Sequence, residues 1–185
     1  MIGNKMKNIM VTYTGKRFDI SRPERHKIDI VDIAHALSNL CRFNGHCNEF
    51  YSVAQHSLLV SQLVDSSYAL SGLLHDAAEA YLGDTITPQK HMMGDILATV
   101  ERNLVNAIAE KFGLPTNFNK IPEVTVVDRH LLVHEMQKLF RNWPETVSRD
   151  YERKYYFDII PLEQRIAKSL FLRRFWSIFD KNTEM

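Results

Sequence analysis

Between residues 73 and 84 the chain reads LLHDAAEAYLGD, which sets one imidazole and three carboxylates (His75, Asp76, Glu79, Asp84) in a stretch otherwise built of Leu, Ala, Tyr and Gly. Carboxylates taken out of water without a partner cost several kcal/mol each, so such a cluster calls for a counter-charge. No Lys or Arg lies within those twelve residues. A divalent metal neutralises two acids at once and accepts imidazole nitrogen beside carboxylate oxygen, which makes it the most economical answer. On a helix His75 and Glu79 are one turn apart and Asp76 and Glu79 three residues apart, so the three are expected to project to one side. An isolated His-Asp pair is more often a hydrogen-bonded surface pair than a ligand set. The metal reading therefore needs support from elsewhere in the chain.

That support depends on the elements that carry the other polar residues. The first twenty residues alternate weakly around Thr14-Gly15-Lys16 and predict a short hairpin or extended arm. Ile30, Ile33, Ala34, Leu37 and Leu40 then recur at helical spacing, predicting a helix from 29 to about 43. Ser52 with Gln55 reads as a capping box for a second helix carrying Val53, Leu58, Leu59, Leu63 and Val64, with His56 in its first turns. A third helix is predicted from 68 to 81, stopped by a left-handed cap at Gly83. A fourth starts at Pro88, with Ile96, Val100, Leu104, Val105, Ile108 and Phe112 as its apolar side, and ends at Gly113. A fifth runs from 122 to 140 on Val124, Val127, Leu131, Leu132 and Leu139, with Asp128 among them and Trp143-Pro144 closing it. The stretch at 154–161 is expected to be extended or irregular, and a last helix from 162 to 179 packs through Ile166, Leu170, Phe175 and Ile178. With no repeat or linker, the pattern predicts one all-α domain over 1–185 with side-on helix packing.

Composition narrows the function classes. The 185 residues are 45% hydrophobic and carry 23 basic and 22 acidic side chains, for a formal net charge of +1. A balanced chain of this kind has no long-range field to draw it to a nucleic-acid polymer or an anionic membrane. The two cysteines, Cys41 and Cys47, match neither a zinc-ribbon nor a C-x-x-C spacing. With no secretory signal and no run near the roughly 20 apolar residues of a membrane span, the expectation is a soluble, cytoplasmic protein.

The second constellation is AQHS at 54–57, which sets His56 among apolar neighbours, and VVDRH at 126–130, which does the same for Asp128. Each alone has a structural reading. Together with His75-Asp76 they make an H…HD…D pattern, and through it the sequence resembles the HD-domain phosphohydrolase superfamily, most closely its small bacterial and phage members related to the 5′-deoxynucleotidases. The similarity spans roughly residues 12–140 and rests on CRFNGH at 41–46, SVAQHS at 52–57, LLHDAAEAYLGD with TPQK at 87–90, and VVDRH. It implies an HD-domain helical bundle of about six helices in which His56, His75, Asp76 and Asp128 bind one divalent metal (Mn2+, Co2+, Zn2+, Ni2+ or Fe2+). It also implies that Glu79 and Asp84 handle water and leaving group in roles that can be exchanged, and that Arg42 meets the substrate phosphate. A nucleotide substrate and a homodimer or higher homo-oligomer belong to the same expectation. The sequence departs from the family at Phe43, where such deoxynucleotidases often carry a Trp that crowds the sugar, so selection against a 2′-hydroxyl is not implied.

The residues' own chemistry agrees. Two imidazoles and two carboxylates leave room on a metal for water and a phosphate oxygen, as in a catalytic rather than a closed structural site. Phosphoryl transfer asks chiefly for positioning and charge neutralisation. Arg42 suits a bidentate phosphate contact and Lys90 a point charge, with His46 as a further contact and Phe43, Phe50 and Tyr51 as stacking or core residues. His35 reads as a core or supporting histidine, and His130 with His134 as solvated or structural. The leading expectation is a 5′-deoxynucleotidase-like hydrolase. Its rivals are a triphosphohydrolase acting on dNTPs, with Lys16 or Arg17 extending the cationic track, and a non-catalytic metal-stabilised nucleotide-binding module. A di-iron oxygenase would need additional histidines near the His-Asp pair.

Overall fold

The computed structural model describes residues 7–142, 155 and 157–183. The fold is all-α with a short N-terminal hairpin, as predicted. Strands β1 (Ile9–Val11) and β2 (Arg17–Asp19) pair antiparallel with Met10 opposite Phe18, around the predicted Thr14-Gly15-Lys16 turn. The hairpin is pinned to helix α1 (Ile30–Asn39) because Thr14 donates twice to Asp32, from its backbone N–H (2.6 Å) and its hydroxyl (2.8 Å). Asp29 caps α1 through the N–H of Val31, which satisfies one of the donors that a helix start leaves open.

Helix α1 stops four residues short of its predicted end. Leu40 is extended and residues 42–45 form a tight turn in which Phe43, Asn44 and Gly45 all have positive φ. The backbone around it pairs instead with the start of α2 (Val53–Leu63), through Arg42 N–H to the Tyr51 carbonyl (2.9 Å) and Val53 N–H to the Leu40 carbonyl (3.1 Å). Ser52 caps α2 as expected, by accepting from the Gln55 N–H. The reciprocal half of the capping box does not form. The Gln55 side chain reaches the other way, donating to the Ile160 carbonyl and accepting from the Leu162 N–H, and so ties α2 to the irregular segment before the last helix.

The third predicted helix is two helices, α3 (Ala69–Leu74) and α4 (Glu79–Leu82). Between them the chain winds more tightly, with N–H to carbonyl bonds three residues back from Ala77 to Leu74 and from Glu79 to Asp76, both 2.9 Å. Gly83 has positive φ (84°) but an extended ψ (161°), so it turns the chain away rather than adopting the predicted left-handed helical cap. Helix α5 (Thr87–Phe112) bends at Gly94, whose φ of 63° and ψ of −148° suit only glycine. The bend separates the faces on either side, which is why Ile96, expected inside, is 81% exposed while Leu104, Val105, Ile108 and Phe112 are buried. Helix α6 (Pro122–Leu139) follows its predicted span, whereas Trp143 and Pro144 lie outside the described residues. Helix α7 (Gln164–Thr183) buries the predicted Phe175 together with Ala167 and Phe171, packs Leu170 and Ile178 partly buried against the core, and leaves Ile166 exposed.

The main core gathers Phe18, Ile33, Leu37, Val53, Leu73, Leu74, Leu104, Ile108, Phe171 and Phe175 around α2 and α3. Each large side chain fully buried there contributes about 1.5–3 kcal/mol from its lost contact with water. Helix α2 lies centrally, against α1, α3, α6 and α7. Arg174 of α7 clamps it by donating to the Ser61 hydroxyl (3.0 Å) and carbonyl (2.8 Å). The α2–α3 contact is closest at Gly72, where a Cβ would stand 3.2 Å from the Ser61 Cα. No helix among the described residues is long and apolar enough to cross a membrane.

Gly72→Val is therefore expected to lose about 1–3 kcal/mol of stability through overpacking of backbone against backbone. Chemical denaturation measures it, and a variant as stable as the parent would contradict the close approach.

Candidate metal centre

Tertiary packing brings together His56 on α2 and His75 with Asp76 at the α3–α4 junction, and sets Asp128 of α6 against the two imidazoles. The Nε2 atoms of His56 and His75 are 3.3 Å apart. Asp76 Oδ2 is 3.2 Å from the His75 nitrogen and 3.7 Å from that of His56, and Asp128 Oδ1 is 3.0 Å from His56 Nε2 and 3.8 Å from His75 Nε2. One ligand atom each from His56, His75 and Asp76 lies within 4.8 Å of the others, so this buried group can hold a metal ion.

The far sides of the two rings determine what the near sides present. His75 Nδ1 is 2.8 Å from the Gly72 carbonyl, which can only accept, so Nδ1 carries a proton. His56 Nδ1 is 2.8 Å from Glu135 Oε1, and the carboxylate likewise accepts. In the neutral tautomers both Nε2 atoms then point lone pairs at each other and at two carboxylates. Only positive charge at the centre makes that arrangement favourable. Two nitrogens each about 2.1 Å from one ion at a near-tetrahedral angle sit about 3.4 Å apart, close to the separation found.

Without an ion, protons supply the charge. Burial works against a charged His75, but the Asp76 and Asp128 carboxylates outweigh it and hold the imidazole well above its usual range. Burial and the nearby Arg42 oppose protonation of His56, and Glu135 with Asp128 overcome them. The acids respond in kind. Burial would raise Asp76 and Asp128, yet the imidazoles beside them bring both below the ordinary carboxylate range.

Glu135 was not among the residues singled out from sequence. It is fully buried and accepts three hydrogen bonds, from His56 Nδ1, from the Tyr51 hydroxyl (2.6 Å) and from Arg42 Nε (3.1 Å). Its signal was available, because Glu135 lies seven residues after Asp128 and so two turns along the same face of α6, among Leu131, Leu132 and Leu139. Tyr51, which the sequence allowed as a stacking or core residue, is fully buried with its hydroxyl on Glu135.

A cavity of about 490 Å³ opens beside the cluster, a size suited to a small organic ligand. Its wall includes Asp76 and Asp128 and, from the sequence-predicted residues, Glu79, Asp84, Arg42, Phe43, His46 and Lys90. Leu132, Met136 and Phe140 form an apolar side, with Phe140 edge-on to Phe43 at 5.1 Å between ring centres. Arg42 is less free than expected. It is buried, its Nε is engaged by Glu135, and its Nη1 lies 3.6 Å from Asp76. Lys90 is held by Glu101 at 2.9 Å, and His46 stands at the exposed rim. The tight winding after Leu74 brings Asp76 and Glu79, expected on one side with His75, close together, since residues three apart eclipse in a 3₁₀ turn. Glu79 Oε2 is buried without a hydrogen-bond partner among the described residues. Burial first, then the charges of Asp76 and Asp84, push the Glu79 carboxyl well up, and burial also raises Asp84.

His35 and His134 make structural contacts instead. His35 stacks on Tyr13 at 3.7 Å and faces Lys168, at the hairpin and away from the cluster. His134 is buried with Nε2 donating to the Phe157 carbonyl (2.7 Å). Lys16, a candidate for a longer cationic track, is bound to Asp29 at 2.7 Å.

Fold and site together define an all-α protein with a buried His/Asp cluster at the floor of a small-molecule cavity. No family model matches the sequence. The chain is 38% identical over 168 residues to the uncharacterized protein YfdR of Escherichia coli K12, an alignment covering 89% of this chain and 92% of that protein, and it belongs to the same family. An uncharacterized protein of Rhodobacter capsulatus is 40% identical over 111 residues, covering 55% of this chain and 57% of its own length.

Two outcomes follow from the hydrogen-bond pattern. Ligation needs neutral imidazoles, and those of His56 and His75 are raised in the metal-free protein, so metal competes with protons. Affinity for Mn2+ or Zn2+, measured by calorimetry, should fall as the pH drops through neutrality and below, with protons released on binding. Glu135→Gln should weaken that affinity about 10–100-fold while the helical spectrum is retained, because it removes the carboxylate that orients His56.

Proposed function

We propose that this protein is an HD-domain phosphohydrolase that removes phosphate from deoxynucleoside 5′-monophosphates, using one divalent ion held by His56, His75, Asp76 and Asp128. The observation that carries the reading is the pair of inward-facing Nε2 atoms with their Nδ1 protons tied outward to Gly72 and Glu135, next to a cavity lined by two further acids that ligate nothing. A purely structural ion would need the four ligands alone. It would not need Glu79 buried beside them with Oε2 unpartnered among the described residues, at a cost that function explains.

A bound divalent ion would lower the pKa of an attacking water and offset charge at phosphorus. The chain's own residues do the rest. Arg42, buried and oriented by Glu135, presents its remaining guanidinium N–H groups toward the cavity as a preorganised phosphate contact. Lys90, steadied by Glu101, adds a second positive charge. Glu79 sits deepest of the two free acids. With an ion bound nearby, the Glu79 carboxyl would be free to give up its proton and so to orient or deprotonate the water. Asp84, half-buried and raised by burial, is placed to give a proton to the departing sugar oxygen. Phe43, Phe140, Leu132 and Met136 offer an apolar wall to the nucleoside.

A monophosphate is favoured over a triphosphate by the count of charge. Among the described residues lining the cavity, the fixed cations are Arg42 and Lys90, and Lys16 is committed to Asp29. Two cations match one phosphate group better than three.

The test is release of phosphate from a panel of dNMPs, and of triphosphate from dNTPs, after chelation and readdition of Mn2+, Co2+ or Zn2+. Phosphate from dNMPs is expected, with kcat about 10²–10⁴ lower in Glu79→Gln. That variant should also melt about 2–4 °C higher than the parent when metal-free at pH 8, since it removes a carboxyl whose ionised form burial and the charges of Asp76 and Asp84 disfavour in the folded protein. Triphosphate release would point to the dNTP reaction. Nucleotide binding with no release under any metal would make the protein a binding module.

A further inference from the structure

The spacing of Cys41 and Cys47 matches no common redox or zinc motif, yet the fold brings their sulfurs to 3.6 Å. Both residues are partly exposed, so a small reagent can reach them. The five residues between them make the turn that supplies Arg42, Phe43 and His46 to the cavity wall. Its ends are already held together. Cys41 forms an isolated antiparallel bridge with Ser52, and the Cys47 thiol packs on Phe43, Tyr51 and Leu139 while facing the Arg42 carbonyl at 3.8 Å.

We propose that Cys41 and Cys47 form a reversible thiol–disulfide switch that acts on the turn carrying Arg42, Phe43 and His46 and thereby on the adjoining cavity. A disulfide needs the sulfurs about 2.05 Å apart, so closure draws them together by roughly 1.5 Å. The turn is short, and Phe43 and Asn44 already occupy left-handed backbone conformations that L-residues disfavour. Rotation of the two cysteine side chains takes up part of the displacement, and the rest passes into the backbone of residues 42–46. There it moves Arg42 relative to Glu135 and Asp76, and Phe43 relative to Phe140.

The oxidant is a small-molecule disulfide of the glutathione type. The Cys41 thiolate, having lost its proton to solvent, attacks one sulfur of that disulfide and expels the other half as a thiolate. Cys47, whose thiol burial holds above its usual range, then loses its proton and attacks the Cys41 sulfur of the mixed disulfide, expelling the second half. In sum two protein thiols are oxidised to one bridge and one small disulfide is reduced to two thiols. A reducing dithiol reverses the process.

The bridge itself is independent of the proposed hydrolysis, and its effect on rate rests on that reading. The metal-loaded full chain would be equilibrated with glutathione buffers of increasing oxidised fraction and followed by intact mass and hydrogen exchange. Wild type should lose two hydrogens in mass, regain them with dithiothreitol, and show slower exchange at residues 42–46 when bridged. Cys47→Ser and Cys41→Ser should not bridge. A wild-type chain that gains only glutathione adducts, or bridges without any change in exchange at that turn, overturns the proposal. Phosphate release should fall about a hundredfold on bridging and stay unchanged in oxidant-treated Cys47→Ser. Equal rates in the bridged and open wild type would overturn control of the cavity. If neither state releases phosphate while the bridge and the exchange change persist, the hydrolase reading fails and the switch stands.

Discussion

Two imidazoles face each other across 3.3 Å with their outer nitrogens already spoken for, and much of the molecule is arranged around that contact. It requires α2 and α3 to approach until a Cβ at residue 72 would stand 3.2 Å from the Ser61 backbone. It requires a buried acceptor behind His56, and Glu135 fills that place only because Tyr51 and Arg42 donate to it as well. A buried carboxylate with a single donor would be costly, whereas one with three donors, one of them a guanidinium, is held ionised despite its burial. The turn at 42–45 thus serves the cluster from behind and the cavity from the front.

Charge explains why the region is held so firmly by apolar packing elsewhere. Asp76, Glu79, Asp84, Asp128 and Glu135 gather against Arg42 and Lys90, an excess of negative charge that opposes folding unless protons or a cation offset it. The core formed with α1, α5 and α7 is built from apolar side chains and supplies the stability that offsets this corner. Glu79 is the clearest point of tension, being buried, next to like charges and with Oε2 unpartnered among the described residues. Tension of this kind is characteristic of sites kept for chemistry rather than stability.

Much of this was legible in the sequence, and the misses have definite causes. The periodicity of α1, α2 and α6, the Ser52 cap and the Thr14-Gly15-Lys16 turn all correspond to the structure because each is decided within a few residues. Residues 68–81 read as one helix, since nothing local shows that the His75 ring will take the Gly72 carbonyl and that the chain will wind tightly after it. Ile96 is exposed because the bend at Gly94 breaks the helical face that periodicity carries through it, and Ile166 because the buried side of α7 begins at Ala167. Glu135 was passed over because a single acid on a helix is ordinarily solvated, and its three donors come from residues 79 to 93 positions away.

What the sequence determined by itself was the inventory: an all-α chain, and the histidines and acids set among apolar neighbours where water cannot satisfy them. That much follows from local periodicity and from the cost of burying charge. The tertiary structure decided which of those groups meet. Whether His56, His75, Asp76 and Asp128 share one point, whether Arg42 faces a carboxylate or open space, and whether two cysteines with no motif come into contact all depend on how helices cross. Crossing is set by side-chain packing summed over the whole core, and no local window of sequence contains that sum.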